Sequence, residues 1–266
     1  MDLQLAGKTA VVSGGSKGIG REIVTQLASE GANVIAAARG SDALDELVRD
    51  CATLSGRVLP FTADMTQESE IQRAVDLATT TWGTVDIAVS NVYPQSTQGF
   101  ESATDAQFLE EFRTMVMSVV HLTRSVLPHM RAQGGGRLIN IGSVTMKGPT
   151  YGFPAILSHV TRPAVVGLNK SLANELGESG ITVNNIAVGS IKTERARDAF
   201  QERTGQDAAS FDQLERARVA ELSIPLRRMG TPSEVASLAV FLASERGGYI
   251  TGQTIAVDGG RTGGLY

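Results

Sequence analysis

The chain has 266 residues, of which 42% are hydrophobic and 20% charged, and its formal net charge is −4. This composition is typical of a soluble globular protein, and the slight acidity argues against nucleic acid or an anionic membrane as a partner. A single cysteine, Cys51, excludes an internal disulfide framework and a cysteine-based metal site, so we predict no metal centre. The first ten residues lack a signal-peptide pattern and no apolar run approaches the ~18 residues of a membrane span, so we expect a cytoplasmic protein.

Short apolar or β-branched runs alternate with longer helical patterns along the chain, which is typical of βαβ units and a parallel sheet. In chain order, the predicted strands are Thr9–Ser13, Asn33–Ala38, Val58–Thr62, Ile87–Ser90, Arg137–Ile141, Thr182–Ala187 and Thr254–Val257. The predicted helices are Gly18–Ser29, Ser41–Ser55, Glu68–Thr81, Gln107–Arg131, about Ala155–Glu178, and Pro232–Ala243. Consecutive apolar residues within the strands indicate helices on both faces of the sheet. We therefore predict one α/β domain over residues 1–266.

The stretch from about residue 193 to 224 differs from the rest, because it is polar and helix-prone and lies between the last two predicted strands. Insertions beside the carboxyl edge of a sheet often cover a substrate. We predict a substrate lid here, with a solvated pair of surface helices as the alternative.

A glycine-rich segment, Ser13-Gly14-Gly15-Ser16-Lys17-Gly18-Ile19-Gly20, follows the first strand and opens the first helix. In this context Gly14 permits a tight turn, Gly18 lets the backbone approach a pyrophosphate, and Gly20 allows close helix packing. The helix N-terminus adds unpaired N–H groups and a positive dipole. The sheet is therefore predicted to be a doubly wound, Rossmann-type sheet that binds a dinucleotide.

Two basic residues indicate which dinucleotide. The second strand ends in Ala38-Arg39, where NAD-selective sites of this architecture carry a carboxylate for the ribose 2′-hydroxyl. An arginine accommodates a 2′-phosphate instead, and Lys17 is placed to reach the same group. The sequence therefore predicts NADP(H) as the cofactor.

The chain resembles the short-chain dehydrogenase/reductase family over essentially its whole length, and 3-oxoacyl-carrier-protein reductases look most similar overall. The segments that carry the resemblance are Ser13–Gly20, Asp64, Ser90–Tyr93, Leu127–Met130, Ile139–Ser143, Asn184–Gly189, Thr193, Gly252–Gln253 and Val257–Gly260. The resemblance implies that Asp64 contacts adenine, that Thr193 contacts the nicotinamide carboxamide, and that the protein is a homotetramer or homodimer. The cofactor-binding residues it implies are Gly14, Ser16, Lys17, Gly18, Ile19, Gly20, Arg39, Asp64, Met65, Asn91, Arg162, Gly189, Ile191 and Thr193.

The catalytic residues of the family are mostly replaced. Members use a tyrosine proton donor, a lysine four residues later, a serine that holds the substrate oxygen, and an asparagine that anchors a water relay. Alignment puts Ser158 at the tyrosine position, Arg162 at the lysine position and Met115 at the asparagine position, while Ser143 matches the serine. A serine hydroxyl has a pKa well above the ~10 of a phenol, so Ser158 alone is a poor acid near neutral pH.

Three residues are candidates for the missing proton donor. Tyr151 lies seven residues before Ser158, and Tyr93 follows the fourth strand near the expected nicotinamide. His159 is the weakest candidate, because a helix turns it about 100° away from Ser158. We assign His121 and His129 to packing.

The first functional hypothesis is an NADPH-dependent oxidoreductase that reduces a conjugated C=C, an imine or an unusual carbonyl of a small molecule. In it, Ser143 and Ser158 bind the substrate, Arg162 orients the nicotinamide ribose, and Tyr151 or Tyr93 donates the proton. The second is an NADP(H)-binding protein without redox turnover. The third is a ketoreductase with a rearranged proton donor.

Overall fold

A computed structural model of the protein describes residues 1–93, 98–149, 154–205 and 210–263. Its strands are β1 (Thr9–Ser13), β2 (Asn33–Ala38), β3 (Val58–Thr62), β4 (Ile87–Ser90), β5 (Gly136–Ser143), β6 (Ile181–Val188) and β7 (Thr254–Val257). They form one parallel sheet of seven strands in the order β3-β2-β1-β4-β5-β6-β7. The chain builds outward from β1 to β3, then returns and builds in the opposite direction from β4 to β7. This is the predicted doubly wound topology.

The α-helices are α1 (Gly18–Ser29), α2 (Ser41–Asp50), α3 (Glu68–Trp82), α4 (Asp105–Phe112), α5 (Ser118–Ala132), α6 (Ile156–Leu176), α7 (Glu194–Thr204), α8 (Phe211–Leu222) and α9 (Pro232–Ala243). Two large apolar clusters confirm that helices cover both faces of the sheet. One joins the sheet to α1, α2 and α9, and the other joins it to α3, α5 and α6. No helix in the described ranges is both long and apolar enough to cross a lipid bilayer.

The predicted helix over Gln107–Arg131 is in fact two helices. It begins earlier, because Thr104 forms a capping box with Gln107 that starts α4 at Asp105. A π-helical turn over Arg113–Met117 then separates α4 from α5. Such turns shift the side chains that follow them and are frequent at functional sites.

Some other predicted elements differ from the structure at their ends. The predicted second helix stops at Asp50 rather than Ser55, because the amide of Gly56 bonds the carbonyl of Ala28 and draws the chain towards β3. Strands β5 and β6 extend beyond their predicted bounds, since they pair with each other over eight residues.

The segment predicted as a lid contains α7 and α8. A small apolar cluster of Phe200, Leu214 and Met229 holds these helices to the segment that follows them. Helix α7 starts at Thr193, whose hydroxyl accepts a hydrogen bond from the amide of Ala196 at 3.1 Å. The structure therefore shows helices in this stretch, and their role as a lid stays a prediction.

Candidate active site

The carboxyl ends of the central strands place the predicted site residues at one edge of the sheet. Gly14 follows β1, Asn91 follows β4, Ser143 ends β5 and Gly189 follows β6. Because all seven strands are parallel, these ends meet at the same edge. In sheets of this topology, ligands bind in the crevice where the strand order reverses, here between β1 and β4.

The glycine-rich turn lies against the end of β4. Gly14 has φ of +62°, and a Cβ atom there would lie 2.2 Å from the carbonyl oxygen of Asn91. A Cβ atom on Gly20 would lie 2.0 Å from the carbonyl oxygen of Gly14. Neither contact is possible between real atoms, so any side chain at these positions displaces the turn. Gly20 thus lets α1 pack against the turn itself rather than against the strand.

Side chains fix this turn from both strands. The Ser13 hydroxyl donates to the carbonyl of Val89 at 3.2 Å and accepts from the amide of Asn91 at 2.8 Å. The Asn91 side-chain amide donates to the carbonyl of Gly14 at 3.1 Å. Ser13 therefore ties β1 to β4, and these hydrogen bonds fix the conformation of the turn.

The N-terminus of α1 is open to an anion. Lys17 at the N-cap makes no side-chain capping bond, so the first helical N–H groups point outward beside the positive end of the helix dipole. Lys17 and Arg39 are both exposed, and neither side chain bonds any residue that the structure describes. They follow the adjacent strands β1 and β2. Two unpaired cations and an uncapped helix end therefore share one corner of the crevice.

Asp64, which the resemblance predicts to contact adenine, belongs to the turn that precedes α3. Its Oδ1 atom accepts from both the amide and the hydroxyl of Thr66, at 3.0 and 2.9 Å. Met65 is buried beside it. These bonds hold the carboxylate in one orientation at the end of the β3 segment.

The opposite side of the crevice is formed by the segment after β6. A Cβ atom on Gly18 would lie 3.3 Å from the Thr193 methyl group, so these two residues face each other closely. Ile191 pairs with Gly230 in an isolated parallel bridge, which anchors the start of this segment. Gly189 packs against Asp258, whose Cα would lie 2.6 Å from an added Cβ.

The residues aligned with the catalytic positions lie on β5 and α6. Ser143 is half-buried at the end of β5, and its Oγ accepts from the amide of Thr145 at 3.4 Å. Ser158 and Arg162 are one helical turn apart on α6 and are only 8% and 1% exposed. Met115 lies in the π-helical turn and packs in an apolar cluster, so it offers no polar atom for a relay water.

A buried carboxylate lies beside Ser158, and the sequence motifs do not indicate it. Glu111 near the end of α4 is 4% exposed, and its Oε1 accepts from the Ser158 hydroxyl at 3.4 Å. Burial raises the pKa of Glu111, while the charge of Arg162 and the bond from Ser158 oppose that rise. One signal in the sequence was available: Glu111 lies one turn before Met115, in line with the apolar positions of the predicted helix.

Arg162 is the most unusual charge in the described ranges. Both terminal nitrogens of its guanidinium are buried and have no hydrogen-bond partner there. Burial lowers the pKa of Arg162, with Tyr93 and Glu111 opposing that shift. A guanidinium starts from so high a pKa that it stays protonated near neutral pH. A buried cation with unused donors is costly, and such groups are normally satisfied by a partner or ligand.

Tyr93 links Arg162 to the segment containing α7. The guanidinium of Arg162 lies 4.7 Å from the centre of the Tyr93 ring, and that of Arg195 lies 4.4 Å from it. The ring is 56% exposed, so it forms part of the crevice wall. The structure thus brings Tyr93 to the site as an arginine contact between α6 and α7.

Of the remaining candidates, one lies outside the described ranges and the other is next to Ser158 on α6. Tyr151 falls within residues 150–153, which the structure does not describe. His159 is half-buried, and burial lowers its pKa. On α5, His121 lies 3.8 Å from Glu68, a surface contact between α3 and α5 that agrees with a packing role.

Comparison with known proteins decides the family. The sequence model described as enoyl-(acyl carrier protein) reductase matches residues 14–262. The 3-oxoacyl-[acyl-carrier-protein] reductase of Thermotoga maritima is 32% identical over 260 residues, which is 97% of this chain and 99% of that protein. The chain belongs to the short-chain dehydrogenase/reductase family.

Solved structures of the family agree with this fold. L-Sorbose reductase from Gluconobacter frateurii, complexed with NADPH and L-sorbose, aligns with a TM-score of 0.92 at 32% identity and covers 100% of both chains. A 7α-hydroxysteroid dehydrogenase complexed with NADH and 7-oxo glycochenodeoxycholic acid aligns with a TM-score of 0.86 at 30% identity, over 100% of this chain and 98% of that one. The family therefore includes structures with either reduced nicotinamide cofactor.

Several residues that the sequence predicts as departures from the family pattern lie on one side of the sheet edge. Met115, Ser158, Arg162 and Tyr93 all lie on or beside α4 to α6, whereas the glycine-rich turn keeps its pattern. Glu111 contacts the serine that stands in the tyrosine position. These residues therefore lie close to one another in the structure.

Proposed function

We propose that this chain is an NADPH-dependent reductase. Position 158, where the family carries its proton-donating tyrosine, is a serine here, so the proton comes from another group. The substrate would carry a conjugated C=C, an imine or an unusual carbonyl. The observation that carries the proposal is the guanidinium of Arg162, which is 1% exposed and whose terminal nitrogens have no well-aligned hydrogen-bond acceptor among the described residues beyond the contact with Tyr93. A buried cation with so few acceptors around it is costly in a protein that binds nothing there, and it favours a crevice that binds polar oxygens.

The described residues fit NADPH at the other end of the crevice. The cradle of Gly14 and Gly20 leaves no room for a Cβ atom, and the uncapped start of α1 offers N–H groups for a pyrophosphate. Lys17 and Arg39 would bind the 2′-phosphate that distinguishes NADPH from NADH. The NADPH complex of L-sorbose reductase supports this choice, while the NADH complex of the hydroxysteroid dehydrogenase makes it a property to be measured.

When bound, NADPH supplies a hydride to an electrophilic carbon. Arg162 would hold ribose hydroxyls of the nicotinamide half, and its fixed charge would stabilise the negative charge that develops on a substrate oxygen or nitrogen. The hydroxyls of Ser143 and Ser158 would donate hydrogen bonds to that same atom. Conjugated and activated substrates suit these three residues, because their reduction needs a weaker proton donor than the reduction of an ordinary ketone does.

Binding and turnover test the proposal separately. NADPH fluorescence on titration with the chain measures binding, and loss of the reduced-nicotinamide absorbance measures consumption with cyclohexenone, a cyclic imine and ethyl acetoacetate as probes. We expect tight NADPH binding with consumption on the enone or imine. Tight binding without consumption on any probe would contradict a reductase and support an NADP(H)-binding protein without turnover.

A double variant, Ser158→Tyr with Arg162→Lys, tests the third hypothesis. We expect reduction of ethyl acetoacetate to appear in this variant and to be absent from the wild type. Equal ketone reduction by both proteins would instead support a ketoreductase with a rearranged donor.

We also propose that the chain forms a homodimer or homotetramer through α4 to α6, as the family resemblance implies. Leu109, Phe112 and Val160 on these helices are exposed apolar side chains, and they support an apolar contact between copies. Light scattering of the purified chain measures the assembly, and Leu109→Asp should reduce its mass if this face is the contact.

A further inference from the structure

Glu111 and Ser158 form a buried polar pair that the replaced tyrosine does not explain. Glu111 lies on α4 just before the π-helical turn, and Ser158 lies on the first turns of α6. Carboxylates are rarely buried to this degree without a role, because an ionised carboxylate loses much hydration in a protein interior. The Ser158 hydroxyl, at 3.4 Å from Glu111 Oε1, is the polar group through which Glu111 faces α6.

The charges that act on Glu111 differ between its α6 side and its own helix. From α6, Arg162 acts on Glu111 with a positive charge, and Tyr93 and Arg195 lie beyond Arg162. On α4 itself, Glu110 and Arg113 pair with each other in solvent at 2.9 Å. Burial dominates over the charge of Arg162, so the pKa of Glu111 lies above its usual value. Burial thus favours the protonated form of Glu111 relative to an exposed glutamate.

We propose that Glu111 is the positioning residue behind Ser158 and supplies the proton that the missing tyrosine would have given. The inference rests on the proposed reductase function. The Ser158 O–H bond breaks as its proton joins the substrate oxygen, nitrogen or α-carbon, and the Glu111 O–H bond breaks as its proton joins Ser158 Oγ. Substrate carbon is reduced by the hydride, NADPH is oxidised, and solvent later returns one proton to Glu111.

This pairing overcomes the weakness of serine as an acid. A serine hydroxyl that gives up its proton on its own becomes an alkoxide of very high energy. If a neighbouring carboxylic acid transfers a proton to the serine oxygen in the same step, the product is a carboxylate instead. The positive charge of Arg162 stabilises that carboxylate once it forms. The long 3.4 Å separation fits an apo site, since catalytic hydrogen bonds often shorten only when the substrate is bound.

The first test needs no substrate and no cofactor. Carbon-13 NMR of the chain labelled at glutamate carboxyls follows each titration, and the signal lost in Glu111→Gln identifies Glu111. We expect a midpoint above that of the exposed Glu110. The variant Ser158→Ala should raise the midpoint further, because it removes a hydrogen bond that favours the carboxylate.

The second test compares turnover of the cyclohexenone and imine probes among variants. Glu111→Gln should lower kcat about 100-fold or more, since general acid catalysis typically contributes 10²- to 10⁴-fold. KM and NADPH binding should change little. Glu111→Asp should retain part of the rate, and Glu110→Gln is the matched control. In the wild type, kcat should fall as the pH rises through the Glu111 midpoint, and this limb should be absent in Glu111→Gln.

The outcomes separate this inference from the proposed function. An ordinary Glu111 midpoint, or one that Ser158→Ala does not move, overturns the pair whatever the turnover results are. A wild-type rate that Glu111→Gln leaves unchanged also overturns it. NADPH binding without consumption on any probe counts against the reductase, while the titration still decides whether Glu111 and Ser158 act as one unit.

Discussion

The two halves of the crevice are built in different ways. The side that we propose binds the cofactor is made from consecutive residues of one segment, Gly14 and the start of α1. The side that we propose is catalytic is made from side chains of separate segments, among them Glu111 on α4 and Arg162 on α6. A site of the first kind depends on the geometry of one turn. A site of the second kind depends on the identity of each residue and on the packing that brings them together.

The largest expected effect is on the cofactor side. Gly14→Ala places a methyl group 2.2 Å from the Asn91 carbonyl and strains the positive φ, so NADPH affinity should fall about 100-fold or more. Gly7→Ala is the matched control, because Gly7 has φ of +75° and an added Cβ meets nothing within 4 Å. Fluorescence titration measures both. Equal affinities in the two variants would mean that this turn is not the cradle.

A second change on the same side tests which dinucleotide is bound. Removing Lys17 and Arg39 together, by alanine, should weaken NADPH binding about 10- to 100-fold, because charged hydrogen bonds contribute ~1.5–3 kcal/mol each before solvent screening. NADH binding should stay within about twofold, since NADH has no 2′-phosphate. Arg57→Ala removes an exposed cation that precedes β3 at the opposite edge and serves as the control. A parallel loss for NADPH and NADH would place these cations elsewhere.

On the catalytic side, the Tyr93 ring should hold α7 against α6. Tyr93→Ala removes both arginine contacts, and at ~0.5–1 kcal/mol per cation–π contact the α7 amides should exchange hydrogen about 3- to 10-fold faster. Tyr93→Phe keeps the ring and should behave as the wild type. Tyr249→Ala removes a fully exposed ring and is the control for the loss of a surface tyrosine as such. Unchanged exchange in Tyr93→Ala would show that the contact does not restrain α7.

The smallest effects compare two carboxylates by their pH dependence. The pKa of Glu111 is raised, so its contribution to stability is complete below about pH 4.5 and is lost as pH rises through the folded-state value. Glu234, which pairs with Arg228 and caps α9 with Thr231, has its pKa lowered to about 2. Its contribution is present above pH 4.5 and is lost as pH falls towards 2.

Urea unfolding at a series of pH values measures both trends. Relative to the wild type, Glu234→Gln should lose stability as the pH rises from about 2 to 4.5, and Glu111→Gln should gain stability as the pH rises above about 4.5. Trends of the same sign in the two variants would contradict the assignment of Glu111 as a carboxylate disfavoured by burial.

Much of the fold could be predicted because its signals are local. Strands β1 to β4 and β7 have the predicted bounds, since each is a short apolar run closed by a turn. The break between α4 and α5 could not be predicted. A continuous helical periodicity runs through residues 107–131, and a π-helical turn within it leaves no mark on that pattern.

For this protein the sequence alone determined the sheet, the cradle at Ser13–Gly20 and the family, because adjacent residues specify a turn and a helix start. It also predicted Ser158 and Arg162 as the residues at two catalytic positions of the family, and this stays a prediction. Only the tertiary structure placed Glu111 behind Ser158 and Tyr93 between Arg162 and Arg195. These groups are up to about a hundred residues apart in the chain. Their burial and charge exist only once α4, α6 and α7 have packed, since a pKa and an unpaired donor depend on what surrounds a side chain.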